Sequence, residues 1–192
     1  MKKLQAISDI IQERRSVFPQ FYTQEKIDRE LIEELLFHGN FAPTHRLTQP
    51  WRFKVIADEK RATFGDLLAR LYKQNTPKDM FQERKQEKKA LKPRQSSHII
   101  AICMQRDTKE RVPRWEEIAA TAMAVQNIML LASAYKIGSY WSSPKDKDAP
   151  ACSSFLKLKT GESCLGFLYL GYHKMPPIEA SRTPIADKIQ WL

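Results

Sequence analysis

Ala42-Pro43-Thr44-His45-Arg46-Leu47-Thr48-Gln49-Pro50-Trp51 reads as a stiff, polar loop that feeds a strand. Two prolines bracket it and remove freedom from the unfolded chain, so the loop is ordered at low entropic cost. Beyond it, Trp51, Phe53 and Val55 alternate with Arg52 and Lys54, the period of a half-buried strand. Upstream stands Arg14-Arg15-Ser16, a pair of guanidinium forks followed by a hydroxyl. Arginine binds phosphate bidentately and a hydroxyl adds a short hydrogen bond, so this trio suits a terminal phosphate. The plainer reading is that two cations stabilise the carboxyl end of a helix.

Working outward, residues 4–14 carry a helical stripe of Leu4, Ile7, Ile10 and Ile11. Asp28 is placed to cap a second helix over 29–38, with its stripe at Leu31, Ile32, Leu35 and Leu36 and with Gly39 as its left-handed closing residue. A third helix is expected over 58–74, and the charged stretch 76–94 is helical or partly mobile. Residues 98–104 form an apolar run of strand length, central in a sheet. Pro113, suited to a first helical turn, opens the longest helix, about 114–136. Its apolar face is wide: Ile118, Ala119, Ala122, Met123, Val125, Ile128, Met129, Leu131 and Ala132. A helix apolar on most sides must be covered on most sides. Gly138–Trp141 reads as a short strand, 148–157 as a weak helix and 162–171 as a strand. The tail holds Pro176, Pro177 and Pro184, so it is extended, and it ends on Ile189, Trp191 and Leu192, which must dock on something.

With helices first, strands scattered and no glycine-rich strand-to-helix turn among six glycines, the fold is read as α+β, a single domain over 1–192 around a mainly antiparallel sheet. The formal net charge of +10 favours acidic partners. Much of that charge lies between Lys73 and Arg94, mixed with Glu83 and Glu87, and reads as a solvated helical face. The alternative is a basic nucleic-acid or anionic-surface binding module built on that segment, which would show strongly salt-dependent binding. Nucleic acid is the less favoured partner.

Three cysteines, Cys103, Cys152 and Cys164, have neither disulfide-framework nor zinc spacing, and the four histidines form no metal cluster by spacing. No nucleophile signature supports thiol catalysis. No signal-peptide core and no run of about 18 apolar residues is present, so a cytoplasmic setting without a membrane is expected.

Arg14-Arg15-Ser16, then Ala42-Pro43 to Gln49-Pro50-Trp51, then Gly138 to Trp141, then Gly166-Phe167-Leu168-Tyr169-Leu170-Gly171, in this order, resemble the nitroreductase family. Val112-Pro113-Arg114-Trp115-Glu116 and His45 look most like its small YdjA-like subgroup. The resemblance implies a three-layer α+β homodimer, with two FMN molecules at the subunit interface and the C-terminal tail extending onto the partner. It implies hydride transfer from NADH or NADPH and delivery of electrons to nitroaromatics, quinones or related acceptors by a ping-pong route, in which the flavin rather than a side chain is catalytic. A more specialised flavin reaction, such as dehalogenation or flavin breakdown, is possible on the same fold. Carried over by position, Arg14, Arg15 and Ser16 match the phosphate and ribityl contacts. Phe41 and His45 match the loop that reaches FMN across the dimer, and Gln49 matches the Gln of the Q-P-W segment. Trp141, Ser142 and Ser143 match the segment beside the ring or phosphate, and Arg182 a late arginine on the phosphate. The sequence departs from the family pattern at Leu47, where many members carry Asn, and at Ser142, where the small subgroup carries Arg. Arg182 is expected to supply the missing cation.

Overall fold

The apolar run expected to be a central strand is one: β2, His98–Gln105, has every residue from Ile99 to Met104 buried. The computed structural model describes residues 2–176 and 180–192; Pro177 of the tail lies outside them. Around β2 the chain runs α1 (Lys2–Glu13), α2 (Arg29–Gly39), β1 (Trp51–Ile56), α3 (Asp58–Asn75), α4 (Glu83–Gln95), then β2, α5 (Arg114–Ala134), β3 (Ile137–Ser142), α6 (Ala149–Phe155) and β4 (Glu162–Tyr172). The sheet order is β1-β2-β4-β3 and every pairing is antiparallel.

Both faces of the sheet are covered, which is why β2 carries no polar alternation. On one face Ile99, Ala101 and Cys103 meet Phe64, Leu67 and Leu71 of α3 and Cys152 of α6. On the other, Ile100 and Ile102 meet Ile32 and Leu35 of α2 and Val125, Ile128 and Ala132 of α5. The result is a helix–sheet–helix sandwich with α5 as the principal helix of its layer.

Gly39 does not close α2 in a left-handed conformation. It is the last helical residue, and Asn40 after it is right-handed. Its smallness serves packing: a Cβ there would lie 2.9 Å from Ile128 and 3.3 Å from the Ala124 carbonyl oxygen. Asp28 stands at the expected cap position, but its side chain makes no capping hydrogen bond. Pro113 is likewise the residue before α5 rather than its first turn.

By length and composition α5 would pass for a membrane span, yet it is 44% buried within this fold. Its apolarity answers to three neighbours: the sheet, α2 and α1. Not all of that surface is covered. Met123 is exposed, and α1 turns Leu4, Ile7 and Ile11 to solvent and buries no residue at all. The tail ends exposed as well, at Trp191 and Leu192.

The charged stretch 76–94 forms a short 3-10 turn and α4, which docks on α3. Arg94 pairs with Asp66 at 2.6 Å, and Lys92 sits 4.8 Å from the centre of the Tyr140 ring. The close approach of the two helices depends on Gly65, where a Cβ would lie 2.5 Å from the Ala90 carbonyl oxygen. Helix propensity alone would reward alanine there by about 1 kcal/mol. A backbone oxygen cannot swing aside, so overpacking wins: Gly65→Ala is expected to lower stability by about 1–3 kcal/mol in urea titrations.

His98, half-buried at the start of β2, has its pKa pushed down, first by burial and then by Arg61 and Lys26, against the opposing pull of Asp58. The unfolded chain therefore takes up this proton before the folded one does. Its contribution is fully present above the ordinary histidine value of about 6.5 and falls away as pH drops. The urea midpoint is expected to decrease from pH 7 to pH 5, with a shallower decrease in His98→Gln.

Candidate functional site

α1 ends at Glu13, and the next residues are fastened to the edge of the sheet. The Arg14 N–H still donates to the Ile10 carbonyl at 3.0 Å, Ser16 forms a parallel bridge with Ser139 of β3, and the Val17 N–H donates to the Ser139 carbonyl at 3.0 Å. Tyr22 locks the strap from behind. Its hydroxyl lies 2.8 Å from the Val17 carbonyl oxygen and 3.0 Å from that of Tyr169, and a Cβ at Gly171 would collide with its ring.

This strap holds the arginines in a particular way. Arg15 turns back on its own backbone, donating to the carbonyl oxygens of Arg14 and Gln12. Arg14 is half-buried, and its Nη1 is buried without a hydrogen-bond partner among the described residues. Its pKa is pushed down by burial first, then by Arg15 and Arg182. Arg14 therefore lies within electrostatic range of two other guanidinium groups, one of them from the tail. Among the described residues no ion pair neutralises Arg14 or Arg182. A buried, unsatisfied guanidinium nitrogen beside like charges is costly unless an anion completes it. A cavity of about 650 Å³ opens alongside, lined by Glu13, Arg15, Lys136, Ser139, His173 and Met175 among others, within the size range of small-molecule sites.

Farther along β3, Trp141 and Ser142 end the strand. The sheet is irregular opposite them: β2 and β4 shift register between Ile102/Gly166 and Cys103/Cys164. Gly166 leaves room for the indole, because a Cβ there would lie 2.2 Å from Trp141 Nε1. The Ser143 hydroxyl donates to the Leu165 carbonyl at 3.1 Å, bracing the bulge. From Ser139 to Ser142 is about 10 Å of strand, so Ser16 and the Trp141–Ser143 segment sit at two ends of one sheet edge.

The loop before β1 is a separate structure. Trp51 is buried against Ala120 and Ala124, and its Nε1–H donates to Asn40 Oδ1 at 2.9 Å. Thr44 and Thr48 join hydroxyls at 3.1 Å, the Gln49 N–H donates to Thr44 Oγ1 at 3.2 Å, and Arg52 donates to the Gln49 carbonyl at 2.9 Å. Within this brace Arg46, Leu47 and Gln49 all have positive φ, at 51°, 54° and 41°. His45 Nδ1 lies 2.5 Å from Glu116 Oε2 in the first turn of α5. Phe41 is exposed and packs edge-on against Phe37, with ring centres 5.1 Å apart.

In one chain the two predicted walls do not meet. His45 is tied to the start of α5, whereas Ser133 at the far end of that helix is beside the arginine cavity. Glu116 and Ser133 are about 25 Å apart along the helix axis. β1 and β3 are opposite edges of the sheet, roughly 14 Å apart. Arg14, Arg15 and Ser16 are contiguous with Arg182 in electrostatic range of Arg14, Trp141, Ser142 and Ser143 share their sheet edge, and Phe41, His45 and Gln49 stand elsewhere.

Sequence reading missed two participants. Glu116 enters the sequence reading only as part of the Val112-Pro113-Arg114-Trp115-Glu116 stretch, and nothing local reveals a partner 71 residues away. Ser139 lies inside a strand and carries no signal except its pairing with Ser16. Burial pushes Cys152 up to about 12 and Cys164 is raised, while the contact with Cys164 pulls Cys103 down, but Cys103 is fully buried and out of a reactant's reach. Glu117, next to Glu116, is buried and engaged by Arg106 and by the Asp107 N–H.

The nitroreductase family model matches residues 11–172, which includes the arginine strap, the loop and the whole sheet. A candidate NAD(P)H nitroreductase of Bacillus subtilis, YfhC, is 32% identical over 183 residues, covering 95% of this chain and 92% of that one. The crystal structure of a nitroreductase-like family protein from Bacillus cereus superposes with a TM-score of 0.79 at 28% identity, over 97% of this chain and 95% of the other. NfnB of Mycobacterium smegmatis, an FMN-dependent nitroreductase solved with NADPH, shares the fold at a TM-score of 0.76 and 14% identity, with 99% of each chain covered. Spanning the strap, the sheet and its flanking helices alike, these matches establish that the chain belongs to the nitroreductase family.

Proposed function

We propose that two copies of this chain enclose two FMN molecules and act as an NAD(P)H-dependent oxidoreductase on nitroaromatic, quinone or related small acceptors. The observation that carries this reading is the buried Nη1 of Arg14, without a partner among the described residues and within electrostatic range of Arg15 and Arg182. That arrangement asks for a dianion such as a terminal phosphate. Arg14 and Arg182 would hold the phosphate, with the Ser16 hydroxyl and Arg15 beside it. Trp141, Ser142 and Ser143 would flank the ring end, about 10 Å along the strand.

The other wall comes from the second copy. One chain cannot bring His45 to its own Arg14, but a two-fold axis across α5 can bring it to the partner's cluster. The surface supports such an axis. Leu4, Ile7 and Ile11 of α1 are exposed, as are Phe37 and Phe41. A groove of about 510 Å³ runs between Ile7, Ile11, Phe41, Leu130 and Leu131. Apolar surface of this continuity marks an interface, and the exposed Trp191 and Leu192 offer the tail as a clasp. Phe41, His45 and Gln49 then approach the partner's flavin.

When bound, FMN supplies the two-electron redox chemistry. The chain binds the phosphate, walls one face of the ring with Trp141, and leaves one opening for donor and acceptor in turn, which makes the kinetics ping-pong. The three unpaired thiols fit a reducing compartment, consistent with work in the cytoplasm. The nucleic-acid alternative loses support because α4 is docked on α3, with Lys92 over Tyr140 and Arg94 on Asp66.

The purified protein is expected to be yellow, to bleach anaerobically with NADPH or NADH, and to have the mass of a dimer in solution. Arg14→Ala is expected to raise the FMN dissociation constant about 10–100-fold, roughly 1.4–2.8 kcal/mol, while the affinity for riboflavin, which lacks the phosphate, stays the same. A colourless protein that takes up no added FMN, or a monomer that binds it, would overturn the proposal.

A further inference from the structure

The His45–Glu116 contact is built rather than incidental. Glu116 sits in the first turn of α5, where the helix end favours a carboxylate. Its side chain is 24% exposed, against 55% for His45. The three left-handed residues Arg46, Leu47 and Gln49 hold a shape that side chains rarely adopt, and such outliers persist where the surroundings over-determine them. The Thr44–Thr48 and Thr44–Gln49 hydrogen bonds and the His45–Glu116 contact are those surroundings. With Nδ1 turned to Glu116, Nε2 lies on the opposite side of the ring, away from the chain's own carboxylate.

We propose that Glu116 is a positioning residue for flavin binding. Its carboxylate accepts the His45 Nδ1–H, fixes the imidazole tautomer and presents Nε2 outward as an acceptor for a hydroxyl or N–H of the flavin held by the partner copy. This inference rests on the flavin reading above. Histidines that work on a ligand through one nitrogen are oriented through the other, and loss of the orienting group costs about 10–100-fold where the ligand is a metal. A softer ligand contact belongs at the low end of that range.

The test uses nitrogen-15 NMR of the full-length protein with FMN titration, and His45 is assigned by the signals lost in His45→Gln. Wild type is expected to show the Nδ1–H tautomer, and Glu116→Ala to move the neutral ring to the Nε2–H form and raise the FMN dissociation constant about tenfold. Glu116→Leu, of similar bulk and without an acceptor, serves the same purpose if the alanine variant does not fold. Glu116→Gln, whose amide oxygen accepts the same bond, is expected to restore both tautomer and affinity. The double variant His45→Gln/Glu116→Ala should lose no more than either single one. If wild type holds FMN but removal of the Glu116 acceptor changes neither tautomer nor affinity, or the two losses add, the positioning role is wrong and the flavin reading stands. If wild type takes up no FMN, the flavin reading fails and this role fails with it.

Discussion

Most of this architecture follows from what α5 must bury. The helix is apolar on more sides than one sheet can cover, and exposed apolar surface is unfavourable by about 25 cal/mol per Å². Its buried residues Ala120, Ala124, Val125, Ile128 and Ala132 take the sheet and α2. Small residues let α2 approach closely, to the point that Gly39 has no room for a methyl group. α1 takes part of what remains, lying on α5 without burying any residue of its own. A helix that is used as cover is itself left uncovered, with Leu4, Ile7 and Ile11 in solvent.

The same helix sets the geometry of the site. Its length separates the loop at its start from the arginine strap at its end, farther than one mononucleotide side chain would bridge. The need for cover and the divided site are both met by the proposed two-fold arrangement across α5. The electrostatics point the same way. Burial, and then the charges of Arg15 and Arg182, disfavour the charged form of Arg14. Sheet pairing at Ser16 and the Tyr22 lock hold the segment in place, so the fold sustains the burial of an Arg14 nitrogen that is unpartnered among the described residues.

What could be read in the sequence was whatever repeats locally. Leu31, Ile32, Leu35 and Leu36 gave α2, and Ile99 to Cys103 gave a strand buried on both faces, because period and burial act over a few residues. Gly39 was misread because the same residue serves a left-handed turn and a close helix contact, and only the position of Ile128 decides between them. Glu116 carries no local signal of its role because its partner is remote in sequence. Gly166 was noted as part of a pattern, but its reason, the Trp141 indole on the neighbouring strand, is a tertiary fact. Arg182 entered through resemblance alone; its approach to Arg14 depends on how the tail returns, which no local rule dictates.

The loop before β1 shows how resemblance and physics inform each other. Leu47 stands where many family members carry Asn, and its φ of 54° explains the usual choice: Asn is among the residues that tolerate the left-handed region, and Leu is not. Leucine here must be held against its preference. The bracing hydroxyls of Thr44 and Thr48, the buried Pro50 and the Trp51 anchor supply that hold. Their reward is not burial, because Leu47 remains exposed. A strained backbone carrying an apolar side chain into solvent makes sense as a surface shaped for something outside the chain. With His45 fixed two residues earlier, the loop presents a polar ring and an apolar knob side by side.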